Sequence, residues 1–429
     1  MTATGKKLLV IDVAALSHGF EIEGLRSQTI HSVFPAVTCT VQASFRTASL
    51  PEKHGMVANG IFFRPLNRPL FWEQSARLVS GARIWENFRK TGKRVAMLFW
   101  QQSLGEDVDI ILSPAPIHKH GGGIIQGCYS QPTRLYQNLC RRIGRPFKLR
   151  QYWGPLASWK VSEWIVDATL AVLEEPDMAP DLCFTYLPTI DYALQRENPD
   201  NGPGAGLARE KLKSQLSRLV RGAQARAYDT LIFGDYHIGP VRDAVLPNLA
   251  LRQAGLMNVR VVKGMIYPDF YSSKAFAMAD HEIAHVYVRC AGDAPAVEKV
   301  LKNMNGTDAV LDRKAQAAMG LNHANSGEFV LIAEQGKWLA YPWWLKRSDA
   351  PEYAGHVDIH NKPGYDPCEL FFGWPPGTVS QDKTKIQGSH GQVGDGREVT
   401  WAASFSVPNQ PANLVELAAA VQCWLDEGR

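Results

Sequence analysis

Thr38 stands between Pro35-Ala36-Val37 and a run that reads as a helix through Thr47. A hydroxyl on the first turn of a helix lies among unpaired backbone N–H groups at the positive dipole end, a natural place to hold a phosphoryl group. Asp12 closes an apolar strand, Lys7–Val13, and open α/β sheets place their ligands at the carboxyl ends of such strands. A carboxylate beside a hydroxyl points to a metal-activated nucleophile. For these two positions alone a simpler reading is the better one: Thr38 as an ordinary helix N-cap and Asp12 as an ordinary strand end. Asp191 and Asp235 change the balance, because each falls at or just past the end of a short apolar run, Leu182–Leu187 and Thr230–Phe233. Three carboxylates at one rim of one sheet form a costly cluster unless cations neutralise it.

The elements that must position these groups alternate between short β-rich runs and helical stretches. Arg94–Phe99 and Val108–Leu112 are further expected strands, and Glu73–Thr91, Thr133–Ile143, Ser158–Leu173, Gly206–Tyr228 and Ala412–Leu425 are expected helices. Such alternation argues for a parallel sheet covered on both faces. Between about Lys274 and Trp344 the texture changes: strands at His285–Val288, Phe329–Glu334 and Trp338–Tyr341 accompany a helix at Ala296–Met304. This reads as a small α+β subdomain, 274–344, inserted in a core made of 1–273 and 345–429.

Of the 429 residues, 45% are hydrophobic and 21% charged, as in an ordinary soluble globular protein. The 46 basic and 42 acidic residues leave a net charge of +4 with no dense basic run. Neither a nucleic acid polymer nor a membrane surface is expected as partner, and a small anionic substrate is tolerated. Seven scattered cysteines without a Cys-x-x-Cys pair argue for reduced thiols in a cytoplasm. The amino terminus shows no secretion signal and no apolar run is long enough for a membrane helix. Oligomeric state is not readable.

His281-Glu282-Ile283-Ala284-His285 matches the zinc-protease pattern His-Glu-x-x-His. That chemistry needs a helix, and the motif runs into Val286-Tyr287-Val288, which favours a strand. Four residues along a strand span roughly 13 Å, too far for two imidazoles to share one ion. A zinc protease therefore stands as a rival reading only.

The ordered motifs resemble the type I phosphodiesterase/nucleotide pyrophosphatase branch of the alkaline phosphatase superfamily. The resemblance rests on Asp12, Phe34-Pro35-Ala36-Val37-Thr38, His54-Gly55-Met56-Val57-Ala58-Asn59-Gly60, Leu187-Pro188-Thr189-Ile190-Asp191, Gly234-Asp235 and Gly388-Ser389-His390-Gly391. It implies an α/β fold, an alkaline-phosphatase-like doubly wound, mostly parallel sheet flanked by helices, with two divalent metal ions, usually zinc, and a threonine nucleophile. It makes Thr38 that nucleophile, with a covalent phosphothreonyl intermediate. Asp12 and Asp235 would hold one metal, Asp191 and His390 the other, and Asn59 would contact a phosphoryl oxygen. The implied activity is hydrolysis of phosphodiester, pyrophosphate or phosphonate bonds in a small phosphorylated substrate.

Two departures bear on the metals. The family places a His four residues after the Asp of its Pro-x-x-Asp segment, where this chain has Gln195; and it has Asp-His-Gly where this chain has Asp235-Tyr236-His237. An amide oxygen suits Mg²⁺ or Mn²⁺ better than zinc. His237 serves as a ligand if the turn shifts by one residue. His360, with Asp358, is the candidate replacement, since alternate residues of an extended segment share a face. These departures also keep open a member that binds a phosphorylated ligand without turnover. Tyr152, Trp153, Trp159, Phe62, Phe63 and Trp72 are candidates to stack on a flat group, with core packing the commoner role. His118, Lys119 and His120 beside Gly121–Gly123 are candidates for an anionic pocket, with a solvated loop the more ordinary reading.

Overall fold

The computed structural model describes residues 6–119, 124–175 and 177–427. His120 and Gly121–Gly123 of the expected anionic pocket lie outside that set, so the pocket reading gains no structural account. Five parallel strands form the centre of the main sheet: β1 (Leu8–Val13), β2 (Val95–Leu98), β3 (Ile110–Ser113), β4 (Leu182–Leu187) and β5 (Asp229–Gly234), in the spatial order β5-β1-β4-β2-β3. Antiparallel strands complete it at both edges: Gln28–Ile30 and Val399–Ala403 beyond β5, and Tyr129–Gln131 beyond β3. The architecture is the α/β sheet flanked by helices that the strand–helix alternation predicts.

Alternation along β1 divides the core. Leu9, Ile11 and Val13 pack toward the long helices Lys160–Leu173 and Pro203–Gln224. Leu8 and Val10 pack toward α1 (Thr38–Thr47) and the closing helix Leu414–Asp426. Side chains two apart share a face, so Asp12 belongs with Leu8 and Val10 and is carried toward α1. β1 runs in register with both parallel neighbours, Val13 opposite Leu187 and opposite Gly234. Asp12, Asp191 and Asp235 thereby reach one rim.

The expected helix Glu73–Thr91 is not formed as such. It is a short turn at Ala76–Leu78 and a helix only over Glu86–Lys90. Gly81 between them has φ +94, a conformation no helix contains. The Ser80 and Ile84 amides are instead bound to the carbonyls of His54 and Arg46.

A second, four-stranded antiparallel sheet holds β6 (Ala275–Asp280), β7 (Ile283–Val288), β8 (Thr307–Leu311) and β9 (Phe329–Ala333), in the order β6-β7-β9-β8. β6 and β7 form a hairpin that pairs Asp280 with Ile283, leaving His281 and Glu282 as its two-residue turn. The zinc-protease reading fails here. His285 lies on β7, its Nδ1 accepting the Gly327 amide at 3.1 Å and its Nε2 donating to the Val57 carbonyl at 3.1 Å. Both ring nitrogens are thus engaged with backbone, away from His281. No described helix is long and apolar enough to cross a membrane.

Candidate active site

α1 begins at Thr38 without a cap from the preceding side chain: Val37 stands there in extended conformation and carries no side-chain oxygen. The Cys39 amide is met by Asn59 Oδ1 at 3.0 Å. Thr38 is itself nearly buried and lines a cavity of about 370 Å³. Its Oγ1 donates to Asp235 Oδ2 at 3.4 Å, while Asp235 Oδ1 accepts the Ala15 amide at 3.1 Å. Asp12 Oδ2 accepts Gln42 Nε2 at 2.7 Å, and Asp12 Oδ1 is a buried oxygen with no hydrogen-bond partner.

Burial pushes Asp12 up to about 8, opposed chiefly by the Gln42 hydrogen bond. Burial also raises Asp235 well above the usual carboxylate range, and the neighbouring Asp12 charge adds to it. Two buried carboxylates that repel each other beside a hydroxyl favour a cation among them. An all-oxygen set with one unspent oxygen fits a hard divalent ion such as Mg²⁺ or Mn²⁺.

The other side of Thr38 is built differently. Asp191 opens a helix, Asp191–Arg196, and both its oxygens are met by Gln195 Nε2, at 3.0 and 2.9 Å. Tyr236 donates its phenol to Asp191 Oδ1 at 2.9 Å, and Tyr365 donates to Gln195 Oε1 at 2.6 Å. Burial, then the Asp191 charge, raises the Tyr236 phenol well above its ordinary value, so it stays a neutral donor. His390 Nδ1 donates to the Ala36 carbonyl at 2.8 Å, which fixes the tautomer and leaves the lone pair on Nε2. Its ring lies flat on Tyr236, centroids 3.5 Å apart and planes within 1°. Burial holds the imidazole well below its ordinary pKa. Gly388 serves the approach: a Cβ there would lie 2.2 Å from the Leu194 carbonyl oxygen.

The expected site residues therefore divide. Thr38, Asp191, His390 and His360 line the cavity, and Asp12 and Asp235 lie buried at the same rim. His237 does not line it: its ring bonds Ser17 Oγ at 2.9 Å, and Tyr236 takes the inward place. Asn59 is turned from the cavity, its backbone N and Nδ2 bound to Asp280 at 2.7 and 3.1 Å. His360 meets the Phe71 carbonyl at 3.3 Å, and Asp358 spends both oxygens on Asn361 Nδ2. Among the described residues, no three His, Cys, Asp or Glu side chains gather in a metal-holding group. Tyr152, Trp153 and Trp72 line the cavity. Phe62 instead packs on Phe276, Phe63 is exposed, and Trp159 lies under Lys211. Burial pushes the Cys39 thiol up to about 12, which disqualifies it as a nucleophile.

Sequence reasoning missed Gln42, Asp280, His281 and Tyr365. His281, on the hairpin turn at φ +63, bonds Asp280 Oδ1 at 2.7 Å; its ring stacks on Tyr365 and lies tilted against His390, with centroids 3.7 Å apart in each case. The Asp-His pair at the end of an apolar strand was the available signal.

A family model, type I phosphodiesterase/nucleotide pyrophosphatase, matches residues 14–366. The chain belongs to this family of hydrolases. The family is in general metal-dependent. Among solved structures, phosphonoacetate hydrolase from Sinorhizobium meliloti 1021 in complex with phosphonoformate is similar at 17% identity and TM-score 0.63, covering 99% of this chain and 96% of the other. Murine ectonucleotide pyrophosphatase/phosphodiesterase 5 is similar at 13% identity and TM-score 0.58, covering 98% and 95%. Its inactive variant in complex with AMP gives 12%, 0.59 and the same coverage. These likenesses carry the fold. No curated protein matches the sequence.

Proposed function

We propose that this member of the family hydrolyses a phosphoester or phosphonate bond of a small molecule, with Thr38 as nucleophile. The observation that carries the reading is the Thr38 hydroxyl, at the first residue of α1, 3.4 Å from Asp235 Oδ2 and open to the cavity. Asp12, Asp235 and Thr38 Oγ1 are the groups that would hold a divalent cation, and Mn²⁺ or Mg²⁺ suits their oxygen donors better than the zinc usual in the family. When bound there, the cation lowers the pKa of the hydroxyl and offsets the charge of the phosphoryl group.

The chain's own groups supply the rest. Thr38 Oγ loses its proton, for which Asp235 Oδ2 is the nearest carboxylate oxygen, and bonds to phosphorus as the bond to the leaving group breaks. Water then attacks that phosphothreonyl ester, its oxygen bonding to phosphorus while the bond to Thr38 breaks. The positive end of the α1 dipole, at Thr38, favours the charge that develops on the phosphoryl oxygens. Phosphonoformate and AMP in the similar structures are small phosphorylated ligands, which supports a substrate of that size. The cavity is lined largely by apolar side chains such as Trp72, Trp153, Leu156 and Phe372, and among its described lining residues Arg150 is the lone Lys or Arg. One phosphoryl charge carried on a flat or apolar group suits it better than a polyphosphate.

A second reading, ligand binding without turnover, is favoured by Gln195 and Tyr236 standing on Asp191. Assay of bis-p-nitrophenyl phosphate and p-nitrophenyl phosphate with Mg²⁺, Mn²⁺ and Zn²⁺, wild type against Thr38→Ala, separates the two. Turnover lost in Thr38→Ala supports hydrolysis; equal rates in both proteins contradict it.

A further inference from the structure

We infer that this site holds one cation, on the Asp12 side, and that a neutral hydrogen-bonded network stands where a second would bind. The inference deepens the hydrolase reading and takes from it only that Thr38 is the reacting group.

Gln195 Nε2 sits 3.0 and 2.9 Å from the two Asp191 oxygens. That is the fork a chelated cation would occupy. The amide is held in this orientation, because Tyr365 donates to Gln195 Oε1 at 2.6 Å. Turning the amide to offer oxygen to a metal would break that bond and set Oε1 against a carboxylate. Tyr236 adds a second donor, and a third contact, to Asp191 and covers one face of His390 at 3.5 Å, while His281 lies 3.7 Å from the same imidazole. A carboxylate satisfied by three N–H or O–H contacts no longer depends on a metal for its charge. Of the positions the family's motifs assign to that cation, only His390 Nε2 then remains, and one imidazole does not hold a divalent ion.

The two sides differ in the same direction by a second measure. Asp12 keeps an unpartnered buried oxygen, whereas neither oxygen of Asp191 is unpartnered. Without a cation at the departing oxygen, the site favours groups that leave unaided, such as aryloxides, over alkoxides.

The test is metal content per chain. Metal-stripped full-length protein is equilibrated with Mn²⁺ or Zn²⁺, freed of excess, and measured by mass spectrometry of the elements, beside Asp12→Asn and Asp191→Asn. The expected result is one ion per chain in the wild type, one in Asp191→Asn and none in Asp12→Asn. Two ions in the wild type, no ion, or one that vanishes only with Asp191→Asn overturns the inference. The wild-type count decides by itself if a variant fails to fold. Converting both positions, Gln195→His with Tyr236→His, is expected to raise the count to two; an unchanged count in that folded variant also contradicts the account. Turnover measured on the same samples keeps the questions apart: two ions with turnover removes this inference alone, and one ion without turnover removes the hydrolase reading alone.

Discussion

The two flanks of Thr38 end on the same parallel strands yet solve the same electrostatic problem in opposite ways. On one flank burial raises Asp12 and Asp235 above the ordinary carboxylate range, each charge adding to the other's cost, and Asp12 keeps an oxygen with no donor. On the other, burial raises Asp191 too, but Gln195 and Tyr236 donate to both its oxygens and Tyr365 holds the Gln195 amide in place. A sheet rim that gathers carboxylates need not be a metal centre throughout. Local donors decide how much of it is.

The widest break in that comparison comes from Thr38, which faces both flanks. Thr38→Ala is expected to lower kcat by roughly 10³-fold or more, with little change in melting temperature, in a nitrophenyl ester assay. Retained turnover would move the chemistry elsewhere.

The next effect is on stability against pH in metal-free protein. The Asp12 carboxyl is raised in the folded state, so the stability tied to it is complete below about pH 4 and is lost as pH rises through about 8. The stability of Asp12→Asn relative to wild type is therefore expected to improve over that window by a few kcal/mol in order of magnitude. Denaturant melts at several pH values check this; a constant difference contradicts it.

A cation should erase the same penalty. Adding Mn²⁺ at about 100 times its dissociation constant stabilises a one-site protein by about 2.7 kcal/mol. The melting shift is expected in wild type and Asp191→Asn and not in Asp12→Asn. An equal loss in both variants would make the two flanks alike.

The smallest expected effect sharpens the neutral flank. Tyr365→Phe removes one buried hydrogen bond and is expected to cost about 1 kcal/mol, with the metal-induced shift unchanged. A lost metal shift in this variant would show that the amide's orientation matters to both flanks.

Much of this rim was legible in the chain because its carboxylates lie just past short apolar runs, and parallel strands deliver their carboxyl ends to one edge. Gln195 and Tyr236 were legible as departures from the family's motifs, though not as partners of one carboxylate. Their meeting depends on Tyr365, about 170 residues on from Gln195, a separation no local pattern encodes. His281 was hidden by a motif that drew attention to the wrong chemistry, because the tight turn that carries it inward is set by the pairing of β6 with β7. The expected helix at Glu73–Thr91 failed for a related reason: amides that would have closed a helix were claimed by distant carbonyls.

The measurement closest to the central claim is capture of the covalent ester on Thr38. Protein turning over p-nitrophenyl phosphate is quenched in acid, digested and read by peptide mass spectrometry. The account predicts a phosphoryl group on the peptide containing Thr38, absent from Thr38→Ala. A phosphoryl group found only on another side chain, or steady hydrolysis with none on Thr38 under rapid quench, would contradict it.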